Sequence, residues 1–215
     1  MKRRLRKRHK RPCRRRLLLH ENRLNRLGYF RIAGVDEAGC GPLAGPVVAA
    51  AVILKKRHFK EEINDSKQLS PEKRLRAYRE IIKNAVFGVG IVDEKIIDEI
   101  NIHAATIKAM ELALSNLGVL PDYILIDGRV KLKSASPTEA IVMGDSKSLS
   151  IAAASIIAKV TRDNLMINYD LAYPRYGFAR HKGYATKAHK LALKNHGPSP
   201  IHRFSFQPVK DSILY

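Results

Sequence analysis

Cysteine is scarce in this chain: 215 residues contain two, Cys13 and Cys40. One stands in a basic tail and the other in a glycine turn, so they form neither a disulfide framework nor a zinc-ligand set. Long hydrophobic runs are missing too, since no stretch approaches the roughly 20 apolar residues a membrane span needs. The opening residues have no apolar stretch after their charges and do not read as a secretory signal. These absences point to a cytoplasmic protein with no membrane partner. Acids are also in short supply, 20 against 40 Lys and Arg, for a formal net charge of +20. Eleven of the basic residues fall within residues 2–16, which leaves 29 basic against 20 acidic residues in the remainder. A basic body with a still more basic tail suits a polyanionic partner, nucleic acid before any other.

No internal repeat or linker divides the body, and its length supports a single domain with a full core. Residues 1–27 read as a basic, disordered arm, either adding nonspecific phosphate affinity or extending the chain without consequence. The arm's poverty in Ser argues against an organelle transit sequence. Residues 28–215 read as the folded domain. Apolar runs predict strands over residues 29–35, 47–54, 85–92, 123–127 and 139–143. Helices are predicted over 70–84, opened by Ser70-Pro71, over 93–100, from a cap at Asn101 to Gly118, over 148–171 and over 186–195. Strands alternating with helices make the chain an α/β protein.

Three of the strands finish in carboxylates: Asp36 with Glu37, Asp127, and Asp145. Each has an ordinary reading alone. The acidic pair can be a solvated strand end, Asp127 a turn cap before Gly128, and Asp145 a cap for the helix that follows. Strand ends that share one edge of a sheet converge, however, and four convergent acids form a hard, oxygen-only pocket suited to Mg²⁺ or Mn²⁺. Neighbours 36 and 37 in a regular strand face opposite sides, so the pleat is expected to break at the glycine turn that follows them. Two such ions about 4 Å apart can activate a water and stabilise the leaving oxygen of a phosphodiester. An acidic centre in a basic body is the charge pattern of a nuclease. Asp65 reads as a loop residue, and Asp163 and Asp170 read as surface partners of basic neighbours.

Six ordered blocks over residues 29–210 carry a resemblance: GVDEAGCGPLAGPVVAAAVIL, NDSKQLS, YILIDG, GDSKSLSIAAASIIAKVTRD, YPRYGFARHKGYAT and HRFSFQPVK. Together they resemble bacterial ribonuclease HII, the type 2 ribonuclease H. The resemblance implies an RNase H-like fold, a mixed five-stranded sheet flanked by helices with a C-terminal helical extension. It also implies endonucleolytic cleavage of RNA in RNA/DNA hybrids and nicking 5′ of a single ribonucleotide embedded in duplex DNA. The family's four metal-binding acids fall on Asp36, Glu37, Asp127 and Asp145. The family's Gly-Arg-Gly turn, whose backbone reads the ribose 2′-OH, falls on Gly39, Cys40 and Gly41, with Cys40 replacing the arginine. The junction tyrosine falls on Tyr184, and Lys67, Ser155, Lys159 and Lys182 are implied contacts to the substrate backbone. A monomer is implied, and Ser212, Ile213, Leu214 and Tyr215 give a short hint of a replication-clamp contact. Two rivals stand beside this reading: a noncatalytic basic protein that binds duplexes, and a ribonuclease H of another type that ignores a lone ribonucleotide.

Overall fold

The computed structural model describes residues 17–213. The sheet has five strands: β1 (Ile32–Ala38), β2 (Val47–Leu54), β3 (Ala85–Val92), β4 (Tyr123–Asp127) and β5 (Thr138–Ile141). Their order is β3-β2-β1-β4-β5, with β1, β2 and β3 joined antiparallel and β1, β4 and β5 joined parallel. The expected mixed five-stranded sheet is therefore present. β2 is a continuous apolar run because helices cover both faces of the sheet.

The helices are α1 (Leu19–Arg26), α2 (Pro71–Lys83), α3 (Glu94–Ser115), α4 (Leu149–Ala172), α5 (Phe178–His181), α6 (Lys187–His196) and α7 (Gln207–Lys210). Capping explains several of their starts. Ser70 accepts from Lys73 N–H, Ser148 from Ile151 N–H and Thr186 from His189 N–H. Within α3, Asn101 leaves helical geometry at φ 68°, and its Oδ1 accepts from the N–H of His103 and Ala104. The two helices expected there meet at that residue.

On one face Ala50 and Val52 of β2 pack against α2 and α4, through Ala77, Ile81, Ala153 and Ile156. On the other, Ala33 and Val35 of β1 and Ala49 and Ala51 of β2 pack against α3. Gly34 brings α4 close to β1, because a Cβ there would lie 2.1 Å from the Ser150 backbone. Any side chain at position 34 would push the start of α4 off the sheet. Burying Ile156 fully is worth about 1.5–3 kcal/mol.

The boundary of the expected arm differs. Residues 1–16 lie outside the described residues, but 17–26 belong to the folded body. Leu24 is buried with Ile32, Leu125 and Ile151, and Leu17 joins the α2/α4 core. Buried Glu21 accepts from the hydroxyls of Ser148 (2.6 Å) and Ser150 (2.8 Å) and from Ser150 N–H (3.0 Å). Leu17 C=O accepts Leu149 N–H at 2.7 Å. A carboxylate held at the start of α4 satisfies its free N–H groups and favours its dipole.

Candidate active site

β1 runs three residues further than its apolar stretch suggests. Asp36 pairs with Ala50 and Glu37 with Ala49 in unbroken antiparallel register that extends to Ala38 and Val48. The expected break in the pleat does not occur. Alanine partners leave room for the acids to remain in the sheet. Asp36, opposite Ala50, faces α4, and Glu37, opposite Ala49, faces α3. The two carboxylates approach the same strand ends from either side of the sheet.

In the parallel pairing Val35 lies beside Ile126, so Asp36 and Asp127 come next on adjacent strands and share a face. Asp127 Oδ1 accepts Gly144 N–H at 2.6 Å. That bond fastens the end of β4 to a 3-10 turn, Gly144–Ser146, which carries Asp145. β5 stops at Ile141 rather than Met143, and Met143 takes a left-handed φ of 57° to turn the chain into that 3-10 segment. Asp145 thus arrives from a turn rather than from a strand end.

These acids feel one another's charge. Burial, then the charges of Glu37 and Asp127, holds the Asp36 carboxyl well above its ordinary range. Burial and Asp127 raise Glu37. Burial, followed by the charges of Asp65 and Asp127, pushes Asp145 up to about 6. Partial burial works against the charge on Lys67, but Asp36, Asp145, Asp65 and Glu37 outweigh it and raise its pKa. One lysine does not neutralise the set. Four carboxylates with uncompensated charge fit a hard divalent cation such as Mg²⁺ or Mn²⁺. Among the described residues no group of three or more His, Cys, Asp or Glu stands close enough together to hold a metal ion by itself, so the acids would have to draw in around an ion that keeps several waters.

Of the other expected contacts, Ser155 faces Asp36, where its hydroxyl partly counters the rise of that carboxyl, and it shares a 2.9 Å hydrogen bond with Ser66. Lys159 pairs with Asp163 at 2.7 Å and lies 5.6 Å from the Tyr184 ring centre. Lys182 donates to Ala179 C=O, and its own carbonyl accepts from Arg162. Tyr184 is exposed. Cys40 turns its thiol inward, 3.6 Å from Glu37 Oε1 and 3.4 Å from Thr106 Oγ1. Burial and the Glu37 charge push that thiol up to about 11, so it remains protonated.

Several residues of the site were not legible in the sequence. Asp65 lies beside Asp145, and its Oδ1 accepts Lys67 N–H at 2.9 Å. Arg74 holds the same loop through the carbonyls of Ser66 and Leu69. Asp170, expected to pair with a basic neighbour, has no ion pair among the described residues, and its Oδ1 is buried without a partner. Two buried arginines, Arg162 and Arg203, bond to carbonyls of residues 39–46. Nothing in their local sequence separates them from solvated helix or loop arginines.

The sequence profile described as "Ribonuclease HII" matches residues 33–209. A "Ribonuclease HII" of Geotalea uraniireducens is 53% identical over 205 residues, covering 94% of this chain and 95% of the relative. Among solved structures, the ribonuclease H2 of Pyrococcus horikoshii matches with a TM-score of 0.72 at 28% identity, over 84% of this chain and 96% of that one. The PCNA:RNase HII complex of Archaeoglobus fulgidus gives a TM-score of 0.72 at 26% identity, over 82% and 95%.

Proposed function

The chain belongs to the ribonuclease HII family and is a type 2 ribonuclease H, a divalent-metal-dependent endonuclease of RNA/DNA hybrids; beyond that shared activity, we propose that it nicks 5′ of a single ribonucleotide in duplex DNA, leaving 3′-hydroxyl and 5′-phosphate ends. What supports this reading is that Asp36, Glu37 and Asp127 end adjacent strands just before the turn at residues 39–41, with Asp145 on the turn that Gly144 N–H fastens to Asp127.

Asp36, Glu37, Asp127 and Asp145 would hold Mg²⁺ or Mn²⁺, and the bond from Gly144 N–H to Asp127 Oδ1 supports this by fixing that carboxylate's orientation. Held by these carboxylates, two such ions would supply Lewis acidity to activate a water and to stabilise the leaving oxygen. Lys67 places positive charge beside the acids, where a scissile phosphate would sit. The turn backbone and the Tyr184 ring recognise the ribose 2′-OH at the RNA to DNA junction. Cys40 contributes only its backbone, because its thiol points to Thr106 rather than to solvent. Lys159 and Lys182 reach the phosphate backbone, and the basic residues of 2–16 add salt-sensitive affinity. The protein acts as a cytoplasmic monomer, and its C-terminal end meets a sliding clamp, a partner supported by the Archaeoglobus complex. Leu214 and Tyr215 lie outside the described residues.

Three duplexes of one sequence test the reading: one with a single ribonucleotide, one with an all-RNA strand and one of DNA alone. The first two should be cut, the third left whole, and a chelator should stop both reactions. Cutting of the hybrid with no cut at the lone ribonucleotide would refute the finer assignment.

A further inference from the structure

We propose that Arg162 and Arg203 are positioning residues for ribose recognition, holding the turn at residues 39–46 from beneath so that the N–H groups of Cys40 and Gly41 face outward as a pair of donors. The inference rests on the substrate reading above and deepens it by naming the side chains that aim the turn's donors.

Arg203 Nη2 donates to Gly39 C=O at 2.6 Å and Nη1 to Cys40 C=O at 3.0 Å; Nε and Nη2 both reach Gly45 C=O. A trans peptide is planar, with its C=O and N–H pointing in opposite directions. The Gly39 carbonyl shares a peptide plane with Cys40 N–H, and the Cys40 carbonyl shares one with Gly41 N–H. Drawing both carbonyls onto one buried guanidinium therefore turns both N–H groups away from it. Neither N–H has a hydrogen-bond partner among the described residues, and Gly41 is exposed. Adjacent unpartnered amides on a rigid turn suit a small acceptor such as a hydroxyl oxygen.

Arg162 braces the turn from α4. Its Nε donates to Pro46 C=O, Nη2 to Ala44 C=O and Nη1 to Lys182 C=O, at 2.9, 3.1 and 3.0 Å. Its guanidinium carbon also lies 5.9 Å from the Tyr184 ring centre. One side chain thus fixes the turn relative to the segment that carries the tyrosine. Gly39 shows how closely they fit: φ is +102°, and a Cβ there would lie 2.1 Å from Arg162 Nε. Neither arginine has an ion pair among the described residues. Burying two guanidinium charges without an ion pair is costly, and the seven carbonyl contacts offset that cost together with the rings of Tyr184 and Phe206, the latter 5.1 Å from the Arg203 guanidinium carbon. A lysine at either position keeps the charge but cannot span the carbonyls that the planar fork joins.

The test measures the preference for a duplex with one ribonucleotide over the same duplex of DNA, as a ratio of Kd values in chelator, for the full chain and for Arg203→Lys and Arg162→Lys. Two amide hydrogen bonds correspond to a preference of about 10- to 30-fold. Both variants should bring the ratio to within about twofold of unity while plain DNA affinity changes less than about threefold. The ratio does not depend on how much of a sample is folded, so an arginine that merely supports the fold leaves it at the parent value, which would overturn the inference. A second arm needs no substitution. In the parent protein, the ribonucleotide duplex but not the DNA duplex should slow hydrogen exchange at Cys40 and Gly41, and equal slowing by both would overturn the inference. Absence of any preference or cleavage in the parent protein would instead refute the functional reading on which the inference rests.

Discussion

Replacing Asp145 with Asn should stabilise the metal-free protein while abolishing its activity. Asp145 is buried, and its carboxyl is held at about 6 rather than its ordinary 3.8, by burial and then by the neighbouring charges of Asp65 and Asp127. A folded-state pKa above the unfolded value means that folding favours the protonated form. The stability this contributes is fully present below about pH 3.8 and is lost as pH rises to about 6. The difference corresponds to about 3 kcal/mol at 1.36 kcal/mol per pH unit. At pH 7 the charged carboxylate therefore weighs against the metal-free fold, and the neutral isostere recovers about 1–3 kcal/mol, the lower end allowing for screening by solvent. For a chain of this length that gain is a rise in Tm of about 3–10 °C. Calorimetry in chelator at pH 7 and at pH 4.5 measures it, and the gain should shrink at the lower pH. Adding Mg²⁺ should raise the Tm of the parent protein and leave that of Asp145→Asn nearly unchanged. An equal or lower Tm for the variant in chelator, or an equal response to Mg²⁺, would refute the placement of Asp145 in a repulsive acid cluster.

Glu21→Ala should cost about 2–4 kcal/mol, because Ser148 and Ser150 lose their shared acceptor in a buried site; urea denaturation would show this, and a loss below about 0.5 kcal/mol would contradict an integral α1. The C-terminal lobe should loosen in acid. His202 is held down to about 4 by burial and by His189, which it meets at 3.0 Å, so its contribution is present above about pH 6.5 and lost as pH falls toward 4. Hydrogen exchange of residues 178–203 should therefore lose protection between pH 7 and pH 5 more than the sheet does, and uniform loss would count against it. Tyr184→Ala should weaken cutting at a single ribonucleotide about tenfold more than it weakens binding to plain DNA duplex, consistent with loss of one stacked aromatic. Equal losses would make the ring structural.

Much of the fold was legible because its signals are local. β2, β3 and β4 coincide with apolar runs bounded by turn residues, and α2, α4 and α6 begin at Ser and Thr caps. The misreadings came from interactions distant in sequence. β1 continues through its two acids only because its partners are alanines. α1 lies in a basic stretch with few apolar residues, and its anchor is a carboxylate meeting serines 127 and 129 positions away. The roles of Arg162 and Arg203 depend on carbonyls 116 to 164 residues away, beyond the reach of local pattern. For the proposed site, the acids and their order stand in the sequence, whereas their arrangement on the two faces of the sheet, and Asp65 beside Asp145, required the fold.

The position and chemistry of the cut in a duplex bearing one ribonucleotide, measured with Mg²⁺ and with Mn²⁺, report the reaction most directly. A 3′-hydroxyl on the upstream DNA is expected, with the ribonucleotide retained at the 5′-phosphate of the downstream fragment. Cleavage 3′ of the ribonucleotide, or a cyclic phosphate end formed equally well in chelator, would contradict it.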